Sequence, residues 1–290
     1  MRYHPLIHSL VVGSSLLALA AGAAAQGNAQ SPPARVSNWG YQAEGPEPKL
    51  APLVPGERFD PRDFSGVWET DHDGTNGFRS MTEEKEIPPR TPQAQEVYLS
   101  RKTARPHEGK KAVEPAFGND PIMMCNPKGL VRLYMYTDPA EFIHTAKGDR
   151  ILMSFQSQGS TRSIWMDGRP LPVNPDPRWN GYSIGRWEGD TLVIETIGFD
   201  DRAWLDQYGN VYSKDMRFEE RWRRVGRDTL EAVYKIDDPA SYTRPWVSTT
   251  KVWKRQAQEL REEFCAPMDE LQFNELVRDP AAGVVHSPTP

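Results

Sequence analysis

Cysteine is scarce in this chain of 290 residues: Cys125 and Cys265 are its only two. Neither sits in a C-x-x-C or beside a histidine, which weighs against a nucleophilic or metal-binding thiol. Histidine is scarce as well. Past the first 25 residues only His72, His107, His144 and His286 remain, and none is spaced with another as a zinc pair. Asp71-His72-Asp73-Gly74 opens like a calcium loop, but its glycine is misplaced and no glutamate stands at the twelfth position, so a plain turn is expected. There is no phosphate-cradling glycine loop and no dinucleotide fingerprint. The sequence therefore predicts no metal and no cofactor. Lysine and arginine total 35 against 40 acidic residues, a net charge of −5 with the signs interspersed. The mildly basic stretch Lys102–Lys111 is broken by Pro106 and Gly109, so no nucleic-acid partner is expected.

Long apolar runs are also missing, apart from one. Met1-Arg2, the largely apolar Leu10–Ala21 and the small residues Ala23-Ala24-Ala25 form a signal-peptide pattern. That run is too short for a spanning helix of about 20 apolar residues, and no membrane span is expected. Cleavage is predicted near Ala25, giving a periplasmic or secreted protein. No cysteine follows the apolar run to take a lipid anchor. Loss of Arg2 moves the net charge from −5 to about −6. In an oxidising compartment the default reading of two cysteines is one disulfide. Closing a loop of that length contributes on the order of 5 kcal/mol in the chain-entropy model.

Proline is plentiful in residues 26–60, which read as an extended arm. Phe64–Glu69 reads as a first strand. Thr91–Arg105 reads as the one short helix, with Thr91 as cap, Pro92 at the first position and Pro106 as stop. From Gly129 the rhythm becomes short β-rich runs between turn signals: Leu130–Tyr136, Glu141–Ala146, Ile151–Gln156, Thr161–Met166, Tyr182–Trp187, Thr191–Ile197, Met216–Arg224, Leu230–Ile236, Ser248–Lys254 and Leu260–Cys265. This predicts an all-β fold, a single antiparallel meander over residues 61–276 closed into a barrel, followed by a tail at 277–290.

Gly181-Tyr182-Ser183-Ile184-Gly185 matches G-x-S-x-G, the nucleophile elbow of α/β-hydrolases. An elbow needs a strand before its serine and a helix after it. Here a loop precedes Ser183, and the chain continues as strand into a Glu188-Gly189-Asp190 turn, so a hairpin is expected. Attention moves to Tyr182 and Arg186 on the other face of that strand. In Met216–Arg224 the apolar face of Met216, Phe218 and Trp222 also holds Glu220. A carboxylate so placed is desolvated, as suits a general acid or base. The competing expectation is that Glu220 pairs with an inward arginine, Arg162 or Arg186. Glu220, Tyr182 and Arg186 form the candidate catalytic set.

Tryptophan is abundant, nine in all. Barrel core is one reading, an aromatic-lined pocket the other. Trp165, Trp179, Trp204, Trp222 and Trp246 are candidate ligand contacts, joined by Asp201, Arg202 and Asp206 from the charged loop after Phe199. The sequence thus predicts a binding protein for a small apolar or aromatic molecule. A cofactor-independent lyase, isomerase or hydrolase and an envelope scaffold protein are the alternatives. Nothing in the sequence sets an oligomeric state.

Ser65-Gly66-Val67-Trp68 resembles the G-x-W signature of lipocalin-like barrels, whose tryptophan plugs one end. Asn119-Asp120-Pro121, Cys125-Asn126-Pro127-Lys128-Gly129, Asp167-Gly168-Arg169, Gly181–Thr191 and Tyr242-Thr243-Arg244-Pro245-Trp246 together resemble a widespread family of exported, largely uncharacterised bacterial proteins, over about Phe64–Gly283. The resemblance implies a lipocalin-like barrel and a Cys125–Cys265 bridge. The chain departs from it at Val211-Tyr212-Ser213, where relatives often have Pro-His-Ser.

Overall fold

The computed structural model describes residues 58–71, 80–114, 117–136 and 138–265, with 281 and 283. The expected signal segment, the arm up to residue 57, the turn from His72 to Gly77, Trp39, His286 and most of the C-terminal tail lie outside the described residues.

The described chain is an all-β barrel. Its strands are β1 (Gly66–Thr70), β2 (Ala140–His144), β3 (Arg150–Phe155), β4 (Thr161–Trp165), β5 (Tyr182–Glu188), β6 (Thr191–Ile197), β7 (Arg217–Gly226), β8 (Thr229–Asp237), the two-residue β9 (Trp246–Val247) and β10 (Lys251–Gln256). Neighbours pair in the order β10-β1-β2-β3-β4-β5-β6-β7-β8, and β10 pairs back onto β8, closing the ring. Closure pairs every long strand of the described chain on both sides, fully except between β4 and β5. Leu260–Cys265, expected as a strand, is accordingly irregular and mostly exposed.

Alternation decides what faces inward. In β7 every second residue is buried, which sends Phe218, Glu220, Trp222 and Arg224 inward. Register then matches large to small: Trp222 lies opposite Ala232, and Trp68 opposite Ala140. The interior is aromatic and close-packed. Phe142, Trp222 and Trp253 meet at centroid distances of 5.4 Å, and Trp68 is fully buried, its indole N–H on Phe64 O at 2.7 Å.

Two short α-helices lie in the connection between β1 and β2. The first, α1 (Pro92–Ser100), has the expected start: Thr91 Oγ1 accepts from Ala94 N at 3.2 Å. It ends at Ser100 rather than Arg105, where the Lys110 ammonium takes the Tyr98 and Arg101 carbonyls at 3.1 and 3.4 Å. The second, α2 (Leu130–Tyr134), corrects an expectation of strand. All five of its residues are buried. A short apolar run reads equally as strand or buried helix, and because the ring of strands closes without it, this segment satisfies its own backbone as a helix. Tyr134 of α2 stacks on Tyr234 at 5.0 Å, with Trp222 and Trp253 edge-on at 5.6 and 5.9 Å.

A second correction concerns the meander. β4 and β5 run parallel, paired only at Ile164–Ser183 and Trp165–Ile184. Residues 166–181 are long enough to carry the chain back along the barrel, which a tight hairpin is not.

Cys125 and Cys265 form a disulfide, Cα–Cα 5.6 Å, compatible with an oxidising, exported location. Cys125 follows a 3₁₀ turn, Pro121–Met124, capped by Asp120. Asp120 also receives both ends of the buried Arg132 guanidinium at 2.8 and 2.6 Å, so the bridge is tied to α2. Cys265→Ser is expected to lower the unfolding free energy by about 2–5 kcal/mol. Denaturant titration reads this directly, and an unchanged midpoint would show the bridge to be idle.

Candidate functional site

Where β4 and β5 part, a cleft of about 380 Å³ opens in the barrel wall. Only the far ends of the two strands pair, so Thr161–Ser163 face Asn180–Tyr182 across a gap. Asn180 spans it, its amide nitrogen donating to Ser160 Oγ at 2.8 Å and to Thr161 O at 3.0 Å. The loop leading in is fixed by its backbone: Arg178 N donates to Gly198 O at 2.9 Å, and Arg178 O accepts from Asp200 N at 3.0 Å and Gly181 N at 3.1 Å.

The G-x-S-x-G residues serve this wall. Gly181 has φ +64°, and a Cβ there would stand 2.7 Å from Ile197 O. A Cβ on Gly185 would stand 2.5 Å from Met166 Sδ. Ser183 is 1% exposed, its hydroxyl 2.9 Å from that of Thr196. Neither described histidine reaches it: His107 bonds Tyr98, and His144 accepts from Phe64 N. The serine is a wall residue, as the hairpin reading requires.

Three sequence-predicted residues meet here: Trp165, Trp179 and Tyr182 all line the cleft. Each carries a guanidinium over its ring. Arg169 lies 3.6 Å and Arg150 4.9 Å from the Trp165 centroid, Arg178 3.8 Å from Tyr182, and Arg202 4.7 Å from Trp179. The rest of the lining is mostly polar, with Ser160, Thr161, Ser163, Arg162 and Arg178 beside Pro127 and Gly181, and it holds no carboxylate. Asn180 Oδ1 and the Nε and Nη2 atoms of Arg162 are buried without a hydrogen-bond partner among the described residues. Arg178 and Asn180 escaped notice in the sequence because Pro175–Asn180 reads as featureless loop. The flanking Trp179 was the only flag.

Glu220 lies elsewhere. It is fully buried. Its Oε1 accepts from Arg162 Nη1 at 2.8 Å, and its Oε2 from Tyr134 OH at 2.8 Å and Trp222 Nε1 at 3.0 Å. Burial opposes the Arg162 charge, but the Glu220 carboxylate more than offsets this and raises its pKa; burial raises that of Tyr134. Tyr182 faces the outer side, and Arg186 is exposed, bound to Glu188 at 2.9 Å and Glu195 at 2.5 Å. The proposed trio therefore does not converge. The alternation that placed Glu220 inward sends Tyr182 and Arg186 outward.

Most other candidate contacts are structural. Trp222 belongs to the barrel core. Trp246 donates to Thr82 Oγ1 at 2.9 Å, and Trp204 is buried under Arg101 and Arg132. Arg202 pairs with Asp200 at 2.6 Å. Asp201 lines a separate cleft of about 230 Å³ beside α1. Asp206, expected to reach a ligand, is 1% exposed and accepts from Tyr208 N, Asn210 N and Asn210 Nδ2 at 2.9, 3.1 and 2.7 Å. Around it Arg90 binds Glu108 at 2.6 Å, His107 stacks on Tyr208 at 4.2 Å, and Lys110 donates a third bond to Tyr208 O at 2.9 Å. Most of this cluster is paired internally, although Arg90 Nε is buried without a hydrogen-bond partner among the described residues. Among the described residues no group of acidic residues, histidine or cysteine is placed to hold a metal.

Two predictions follow from these buried charges. Glu220→Gln leaves Arg162 without its counter-charge and is expected to cost about 3–5 kcal/mol, most of it regained in Glu220→Met/Arg162→Met. Chemical unfolding of both variants tests this, and a mild single variant would contradict it. Burial lowers Lys110 and Lys251 to about 8. Between pH 8 and about 10.4 the unfolded chain therefore holds more lysine protons than the fold, and stability rises with pH. Above about pH 10 the buried Tyr98, Tyr134, Tyr234 and Tyr242, all raised by burial, keep protons that the unfolded chain loses, and stability falls. A thermal-midpoint profile should show this maximum, and Lys110→Met with Lys251→Met should flatten its rising limb. No protein-family model matches the chain, and neither does any curated protein.

Proposed function

We propose that this chain is an exported binding protein, periplasmic or secreted, that holds a small planar aromatic molecule in the β4–β5 cleft. The observation behind this is the convergence of Trp165, Trp179 and Tyr182 on one open cleft whose other groups are mostly hydrogen-bonding side chains. Ligand sites combine flat apolar faces with a few fixed polar groups in this way. The unpartnered Asn180 Oδ1 supplies an acceptor, and the rings are held in place by their guanidinium partners.

The site sits in the barrel wall rather than in the lumen, where Tyr134, Trp222, Tyr234 and Trp253 already fill the centre. An acid–base role for Glu220 gains no support, because both its oxygens are taken by buried donors.

Titration with a panel of planar aromatics, followed by tryptophan fluorescence and calorimetry, tests the proposal. Trp165→Ala and Trp179→Ala are each expected to weaken binding about tenfold, roughly 1.4 kcal/mol, while the exposed Arg186→Ala leaves it unchanged. Equal binding in all three variants would place the ligand elsewhere.

A further inference from the structure

The charges of the cleft are one-sided in a chain that is acidic overall. Its lining holds Arg162 and Arg178 and no carboxylate, although the whole chain carries a net charge of −5. The arginines over the cleft rings differ in pairing: Arg150 and Arg178 have no carboxylate within salt-bridge distance among the described residues, and Arg150, its Nε buried, lies farther from its ring, 4.9 Å from the Trp165 centroid. Arg169 and Arg202 are neutralised by Asp167 and Asp200, each at 2.6 Å. Arg178 is exposed, packs on the Tyr182 ring at 3.8 Å, and has no carboxylate within salt-bridge distance among the described residues. Its backbone is clamped at both N–H and C=O, so the cation is presented from a fixed point at the rim. Arg162 adds a second, buried guanidinium. Its Nη1 is spent on Glu220, while Nε and Nη2, the side-on fork that matches a carboxylate, have no partner among the described residues.

We infer that the ligand of this cleft is an anion, a small aromatic carboxylate whose ring lies against Trp165 and Trp179 and whose acidic group is drawn to Arg178. This rests on the binding role proposed above and adds the charge of the ligand to it. An arginine held over an aromatic ring and lacking a carboxylate keeps its in-plane N–H donors for an incoming oxyanion. Because Glu220 already balances Arg162, it is the charge of Arg178 that attracts an anion before contact, an effect that salt screens over about 8–10 Å.

Benzoate and indole-3-carboxylate are compared with their neutral amides and with inorganic phosphate, using the full mature chain. The carboxylates are expected to bind at least tenfold tighter than the amides, and the advantage should shrink as salt is raised. Arg178→Met should abolish that advantage, weakening the carboxylates far more than the amides, and Arg178→Lys should restore part of it. Amides binding as tightly as carboxylates would overturn the anion assignment and leave the aromatic cleft standing. Failure of every aromatic probe would overturn the binding role itself. Phosphate competing as well as benzoate would show an anion site indifferent to the ring, and would also overturn the inference.

Discussion

The Glu220 carboxylate and the Arg162 guanidinium meet inside the barrel with no water-accessible side chain between them. Two charges taken out of water hold together only when each is completed by good partners. Tyr134 and Trp222 complete the carboxylate, and in doing so Tyr134 ties α2 to the ring of strands. One pair thereby joins β4, β7 and α2. Removing the helix would strip the carboxylate of a donor, and removing the carboxylate would strand both the arginine and the tyrosine. The interior is committed to packing, and the open cleft lies in the wall.

The wall has a weak place because β4 and β5 run parallel. An antiparallel hairpin would zip along its whole length. The long connection over residues 166–181 instead brings β5 alongside β4 in the same direction, and only two residue pairs join them. The unzipped half is spanned by Asn180 and edged by aromatic residues from both sides. Topology, rather than any single motif, creates the concavity. The motif that drew attention first, Gly181 to Gly185, lines its edge because glycine is the only residue with room there.

Much of the barrel was legible because strand alternation is a local property. Thr191–Ile197 and the inward face of β7 could be read from side-chain order alone, as could the cap of α1 at Thr91 and the pairing of Arg162 with Glu220 as one of two options. What escaped depends on contacts distant in sequence. Leu130–Tyr134 is apolar and short enough for either element, and the closed ring around it decided for helix. The reversal between β4 and β5 has no local signature, so Arg178 and Asn180 passed as loop. Asp206 and Trp204 looked solvent-facing in a charged loop, yet neighbouring Arg101, Arg90 and Asn210 draw that loop inward.

The bridge between Cys125 and Cys265 makes a covalent ring of the intervening chain, and every barrel strand lies within it except β1. The strands from β2 to β10 are therefore hooped together by a bond that survives unfolding. β1 is a loose stave, seated between β2 and β10 without a covalent tie, by hydrogen bonds and by the buried Val67, Trp68 and Thr70. Whatever opens this barrel while its hoop is intact has one strand it can withdraw outright, and the two edges that strand would expose belong to β2 and β10.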